Sequence, residues 1–191
     1  MTAAPRRGFA LLVTLVAVGA ATARAQAVAS APLLRGALSF DARATLGAFT
    51  GVTTKMTGQL RGATTLDSVR GWVEAPAQSL STSNNHRDRD MAKSLEVSRF
   101  PILRFDLDQV VVGQSHGDSV AVTLVGRFSI HGQTRADSIP GWAWLRAAQS
   151  RFRGTTAFSV KDYGVRGLSK MLGMLSMNER ITVHIDVTFG S

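Results

Sequence analysis

Cysteine is absent from the 191-residue chain. This excludes disulfides, a thiol nucleophile, a thiolate metal site and a lipid-modified N-terminal cysteine, so packing and hydrogen bonding must hold the fold. Equally missing is any run of five or more like charges, or a basic cluster interleaved with aromatics. The net charge of +9 therefore lends no support to a nucleic-acid partner. There is no internal repeat, no low-complexity tract and no domain linker. The main apolar run, "GFALLVTLVAVGAAT" at residues 8–22, falls short of the roughly 20 residues a transmembrane helix needs.

That run instead has the layout of a secretory signal. Arg6 and Arg7 precede it, and Ala23-Arg24-Ala25 follows as a small-residue cleavage site. Residues 1–25 are thus expected to be a cleaved signal peptide, and residues 26–191 a single exported domain, periplasmic or secreted. "RRGF" carries the core of a twin-arginine signal, but Pro5 and Ala10 fit that consensus poorly, which leaves Sec export as the default. Cleavage removes three arginines and no acid, lowering the net charge from +9 to +6. A balance of this size is compatible with transient contact at an anionic membrane surface.

What the chain does contain is alternation of period two. In "ITVHIDVTF" Ile181, Val183, Ile185, Val187 and Phe189 alternate with Thr182, His184, Asp186 and Thr188, as in a strand with one wet face. "LRFDLDQV" and "VAVTLVGRFSI" repeat the pattern, with Gly126 marking a bend or bulge in the second. "VTTKMTGQL", "SVRGWVEA", "WAWLRA" and "TTAFSVKDY" are further candidate strands. "TGQLRGATT", "GQSHGDS", "HGQTRADSIPG" and "AAQSRFRG" read as turns between them. The expected fold is all-β: a closed antiparallel barrel of about eight strands, because closure removes the exposed edges. One or two short helices accompany it, "NNHRDRDMAKSL" with an asparagine cap, and "GLSKMLGML".

The stretch His86-Arg87-Asp88-Arg89-Asp90 is the densest cluster of reactive side chains. It begins like a kinase catalytic loop, but Lys93 stands where the metal-binding asparagine belongs, and no glycine-rich phosphate loop precedes it. The four histidines, His86, His116, His131 and His184, fall in different elements without metal-ligand spacing, so no metal site is expected. Asp88 and Asp90 sit two apart, a spacing that does not share a helix face, and the adjacent arginines favour both as ionised groups. Arg87, Asp88, Arg89 and Asp90 are expected to fasten a short helix to neighbouring strands through salt bridges.

The apolar faces carry more meaning. An eight-stranded barrel has an interior just wide enough to be filled by side chains or to hold one slender ligand. The alternation nominates a wall of Phe105, Leu107, Val122, Leu124, Phe128, Trp142, Trp144, Phe158, Val160, Val183 and Ile185. The flexible segment with Leu168, Met171, Leu172, Met174 and Leu175 is nominated as its mouth.

Four ordered pieces then resemble the YceI-like family of exported lipid-binding proteins: "GWVEAPAQSLSTSNNHRDRDM", "SLEVSRFPILRFDL", "VGRFSIHGQTRAD" and "AFSVKDYGVRG". The resemblance runs from about Leu38 to Phe189. It departs at the start, where "LLRGALSFDARATLGAFTG" replaces the family's Asp-x-x-His-Ser opening. The resemblance implies a lipocalin-like barrel that binds a long isoprenoid, a polyprenyl chain or quinone tail, without catalysis and without a required cofactor. The expected partner is an apolar lipid, with homodimerisation open through a gap between the first and last strands. Two other classes stay in view: a lipid-head-group hydrolase or isomerase using Asp88, Asp90 or His86, and a ligand-free stress-protective barrel.

Overall fold

The computed structural model describes residues 29–44, 47–62, 65–146, 148–165 and 179–190. They form strands β1 (Ala29–Ala44), β2 (Gly47–Thr53), β3 (Thr57–Gly62), β4 (Arg70–Pro76), β5 (Ile102–His116), β6 (Ser119–Ile130), β7 (Gln133–Arg146), β8 (Gln149–Ser159) and β9 (Arg180–Gly190). Helix α1 (Asn85–Ser94) lies between β4 and β5, and three short 3-10 turns complete the described elements.

Strands β3 to β9 pair antiparallel in chain order, and β1 closes the circuit. Residues Ala29 to Pro32 of β1 pair with β3, whereas Leu33 to Asp41 pair with β9. Eight strands thus make the closed antiparallel barrel that the alternation predicts. β2 is an extra strand on the far half of β1, Leu38 to Ala44. The pairing of β1 with β9 leaves no gap between the first and last strands. On β9 the inward residues Val183, Ile185, Val187 and Phe189 are buried, as the strict alternation requires.

Several segments differ from the sequence reading. "VTTKMTGQL" is not one strand: β2 ends at Thr53 and β3 begins at Thr57, both antiparallel to β1 and so running the same way, with residues 54–56 breaking the ladder between them. "HGQTRADSIPG" is mostly strand, since β7 starts at Gln133 and stays in register with β6 through Trp144. The turn itself needs two residues, His131 and Gly132, both at positive φ (51° and 72°). β1 does not stand out by alternation, because a bulge between Leu33 and Arg35 shifts its parity midway.

Gly126 marks a close approach rather than a bulge of its own strand. A Cβ there would lie 2.1 Å from the Asp106 carbonyl oxygen and 2.7 Å from the Phe105 ring. The bulge sits opposite, on β5 between Leu107 and Gln109. Helix α1 starts where expected: the Asn84 side chain accepts from the His86 and Arg87 backbone N–H groups, each at 3.0 Å.

Candidate functional site: the barrel interior

Inward residues leave two cavities in line. The first, at the α1 end, holds about 1270 Å³ of atom-free space, part of it continuous with solvent. Leu38 and Phe40 of β1, Phe105, Phe128 and Phe158 form much of its wall, while Met91 of α1 and Leu95 just after it also line it. The second, of about 790 Å³, runs toward the opposite end between Leu107, Val110, Leu124, Ile139 and Phe152. Val73, Phe105 and Ile185 belong to both, so the two cavities meet at a shared waist. At the waist Val73 pairs with Phe105 across the sheet, and Phe105 with Phe128, their rings 4.7 Å apart. The stack continues through Phe158 at 5.5 Å to Tyr163 at 5.1 Å. Burial pushes the Tyr163 hydroxyl up to about 12, the mark of a phenol held in apolar surroundings.

Nine of the eleven nominated wall residues line this space: Phe105, Leu107, Val122, Leu124, Phe128, Phe158, Val160, Val183 and Ile185. Trp142 and Trp144 do not, and that expectation is corrected. The inward residues of β7 are Ile139, Ala143 and Leu145 at odd positions, with Gly141 between them. The reason is space. The Phe152 ring already lies where side chains at Gly141 and Gly154 would stand, 2.8 and 2.3 Å from their ideal Cβ positions. Trp142 therefore faces outward, 39% exposed and edge-on to the His116 ring at 5.2 Å. Trp144 lies under the Arg151 guanidinium at 5.8 Å. The proposed mouth residues Leu168, Met171, Leu172, Met174 and Leu175 lie outside the described residues. Leu38, Phe40, Ile139 and Phe152 escaped the sequence reading. Carrying the β6 parity across the two-residue turn would have found Ile139, the register partner of Leu124.

The charged stretch on α1 divides its labour. Asp88 accepts from the Thr82 backbone N–H at 2.8 Å, the Thr82 hydroxyl at 2.6 Å and the Ser81 hydroxyl at 2.9 Å. Burial pushes its carboxyl up, but these bonds and the Arg87 charge outweigh burial, and its pKa lies below the usual carboxylate value. Asp88 thus ties α1 to the turn before it by hydrogen bonds, not by the expected salt bridge to a strand. Arg87 packs over the Phe49 ring at 4.3 Å, a cation–π contact, and Arg89 is exposed without an ion pair among the described residues. Arg87 and Asp90, three apart and hence on one helix face, both reach the wall of the first cavity. The Asp90 side chain is 13% exposed; His86 Nδ1 stands 3.1 Å from its Oδ2, off the line of a hydrogen bond, so that oxygen is buried without one. Among the described residues no group of three or more His, Asp and Glu is placed to hold a metal ion.

Other polar links are structural. His131 bridges the Tyr163 carbonyl oxygen and the Glu96 carboxylate, each at 3.1 Å, tying the β6–β7 turn to the segment after α1. On the outer face Asp186 accepts from Arg151 at 2.6 and 2.8 Å and from Arg153 at 2.8 and 3.1 Å. The Arg151 bonds first, then Arg153, hold its carboxyl down at about 2.

Comparison with known proteins agrees with this geometry. The model of the YceI-like domain matches residues 33–189. A polyisoprenoid-binding domain from Saccharophagus degradans, implicated in plant cell wall breakdown, superposes with a TM-score of 0.71 at 14% identity, covering 86% of this chain and 99% of that one. BcnA of Burkholderia cenocepacia gives 0.66 at 13% identity, covering 80% and 95%. A Campylobacter jejuni YceI protein gives 0.58 at 12% identity, covering 74% and 84%. No curated protein matches the sequence.

Proposed function

The chain belongs to the YceI-like family, and from that premise we propose that it is an exported, non-catalytic carrier of a long apolar isoprenoid lipid, of polyprenyl or quinone type. The observation that carries the reading is a pair of adjoining apolar cavities, about 1270 and 790 Å³ of atom-free space partly open to solvent, that share Val73, Phe105 and Ile185 as walls. An eleven-residue strand such as β9, rising about 3.3 Å per residue and tilted by about 40°, spans roughly 28 Å along the barrel. Each buried methylene gains about 0.8 kcal/mol on leaving water, so a five-carbon unit gains about 4 kcal/mol before ordering costs. Such a chain is nearly insoluble in an aqueous compartment, which gives a soluble carrier its task. Its polar end would rest against Arg87 and Asp90, where the unbonded Asp90 oxygen favours a head that donates a hydrogen bond. The basic, apolar and small-residue order of residues 6–25 supports export to the periplasm or beyond.

The hydrolase reading is weaker because Asp88, its natural acid or base, already accepts three hydrogen bonds within its own turn. The test is a titration with prenols of increasing length. Affinity should climb with each isoprene unit and then level off once the tunnel is full. Affinity independent of length would contradict the proposal.

A further inference from the structure

We infer that the end of the barrel opposite α1 is a docking surface for an anionic phospholipid bilayer. The β1 bulge leaves Leu34 as the extra residue between Leu33 and Arg35, and it projects from the rim 51% exposed. Its Cδ1 lies 2.6 Å from the ideal Cβ position of Gly190, beside Gln149. Leu145, the register partner of Ser150, stands on the same rim at 47% exposure. Two large aliphatic side chains therefore reach into solvent around the mouth of the second cavity, which Leu145 also lines.

Directly beside them is a cationic groove of about 520 Å³, walled by Arg35, Trp144, Arg146, Gln149 and Arg151, with Asp118 its one acid. Arg35 forms no ion pair among the described residues. The Arg146–Asp118 pair is loose, at 3.6 Å between side chains 77% and 70% exposed, and adds little. Arg151 is fixed by Asp186 and belongs to the wall of both the groove and the second cavity. Arg61 and Arg70 add two further cations at this end, against Asp67. At the α1 end, by contrast, cations are interleaved with Asp41, Glu74, Asp88, Asp90, Glu96 and Asp162.

Leucines that project beside under-neutralised arginines and an indole have the chemistry of a membrane interface. The arginines meet lipid phosphates, the indole settles at head-group level, and the leucines enter the acyl boundary. A second copy of the chain fits this face less well, since a twofold contact would set Arg35, Arg146 and Arg151 against themselves. Docking here holds the second cavity against the bilayer, so a lipid chain crosses from membrane to barrel without entering water. The carrier reading supplies the purpose of this surface, but docking needs no ligand, so the two can fail separately.

The experiment is vesicle sedimentation with the chain from residue 26 onward, which keeps every described element, using phosphatidylcholine alone or mixed equally with phosphatidylglycerol. We expect binding to the mixed vesicles, little to phosphatidylcholine alone, and loss of binding at high salt. Each rim arginine near an anionic surface contributes about a fivefold gain, so Arg35→Gln with Arg146→Gln should weaken binding about 30-fold. Leu34→Ser with Leu145→Ser should weaken it too, whereas Arg89→Gln with Lys93→Gln on α1 should not. Equal binding to both vesicle types, or equal loss from the α1 pair, overturns the inference. So does failure to bind vesicles together with a dimer, seen by sedimentation velocity, that the leucine variants dissolve.

Discussion

Replacing Val73 with tryptophan should turn a long-chain binder into a short-chain one. Val73 stands at the waist, and its register partner on β3 is Gly58, so the sheet beside it has no competing side chain. A Cβ at Gly58 would lie 2.9 Å from Val73 Cγ1, so the larger ring has the space above Gly58 and the lumen to occupy. Overpacking of this kind costs about 1–3 kcal/mol of stability, which a domain of this size tolerates. Its effect on binding is larger. If about two isoprene units extend past the waist, their roughly ten carbons contribute about 8 kcal/mol gross at 0.8 kcal/mol each. After ordering costs, affinity for a long prenol should still fall by about 100-fold or more, while a prenol short enough for the first cavity should bind as before. A fluorescence-displacement titration across a prenol series reads both, with a thermal melt confirming that the variant is folded. The same length plateau in Val73→Trp and the native protein would refute the single-tunnel geometry.

Three further outcomes follow from the described contacts. Asp88→Ala removes an acceptor of three hydrogen bonds and should cost about 2–3 kcal/mol, lowering Tm by roughly 5–10 °C by differential scanning fluorimetry, with prenol binding by the folded protein retained. Asp186 has a lowered pKa, about 2 against an ordinary 3.8, so its contribution is complete above the ordinary value and is lost as the pH falls through about 2. Asp186→Asn should therefore cost about 1 kcal/mol in urea unfolding at neutral pH, a figure discounted for its exposed arginine partners, and the gap should narrow between about pH 4 and 2; a gap constant with pH would discount the Arg151 and Arg153 pairing. Phe128→Arg, which places a charge inside the first cavity, should abolish prenol binding, whereas Trp142→Ala and Trp144→Ala should leave it within a few fold; the reverse result would show the parity of β7 to be misassigned.

The barrel was legible because alternation survives wherever one strand face is dry: β6 and β9 carry it almost without interruption, and β5 carries it from Leu103 to Leu107, up to its bulge. It failed where local chemistry masked it. The bulge at Leu34 shifts the parity of β1, and the polar opening of β7 resembles a turn although its backbone continues the ladder from β6. Trp142 and Trp144 misled for a different reason. Hydrophobicity alone favours them inside, but the Phe152 ring leaves room there for no more than Gly141 and Gly154. Volume is a property of the packed barrel and is invisible in one strand. The charged stretch from His86 to Asp90 announced a helix and its cap. Its division into a fastener, Asp88, and two cavity-facing groups, Arg87 and Asp90, depended on helical phase against a wall the sequence does not display.

The most direct test of a lipid-filled tunnel is to ask what the protein carries when isolated under native conditions. Organic-solvent extraction of the purified protein, followed by mass spectrometry and an ultraviolet spectrum, should yield about one isoprenoid chain per barrel. Repeatedly empty extracts, from protein that also fails to take up added polyprenol or quinone, would contradict the account.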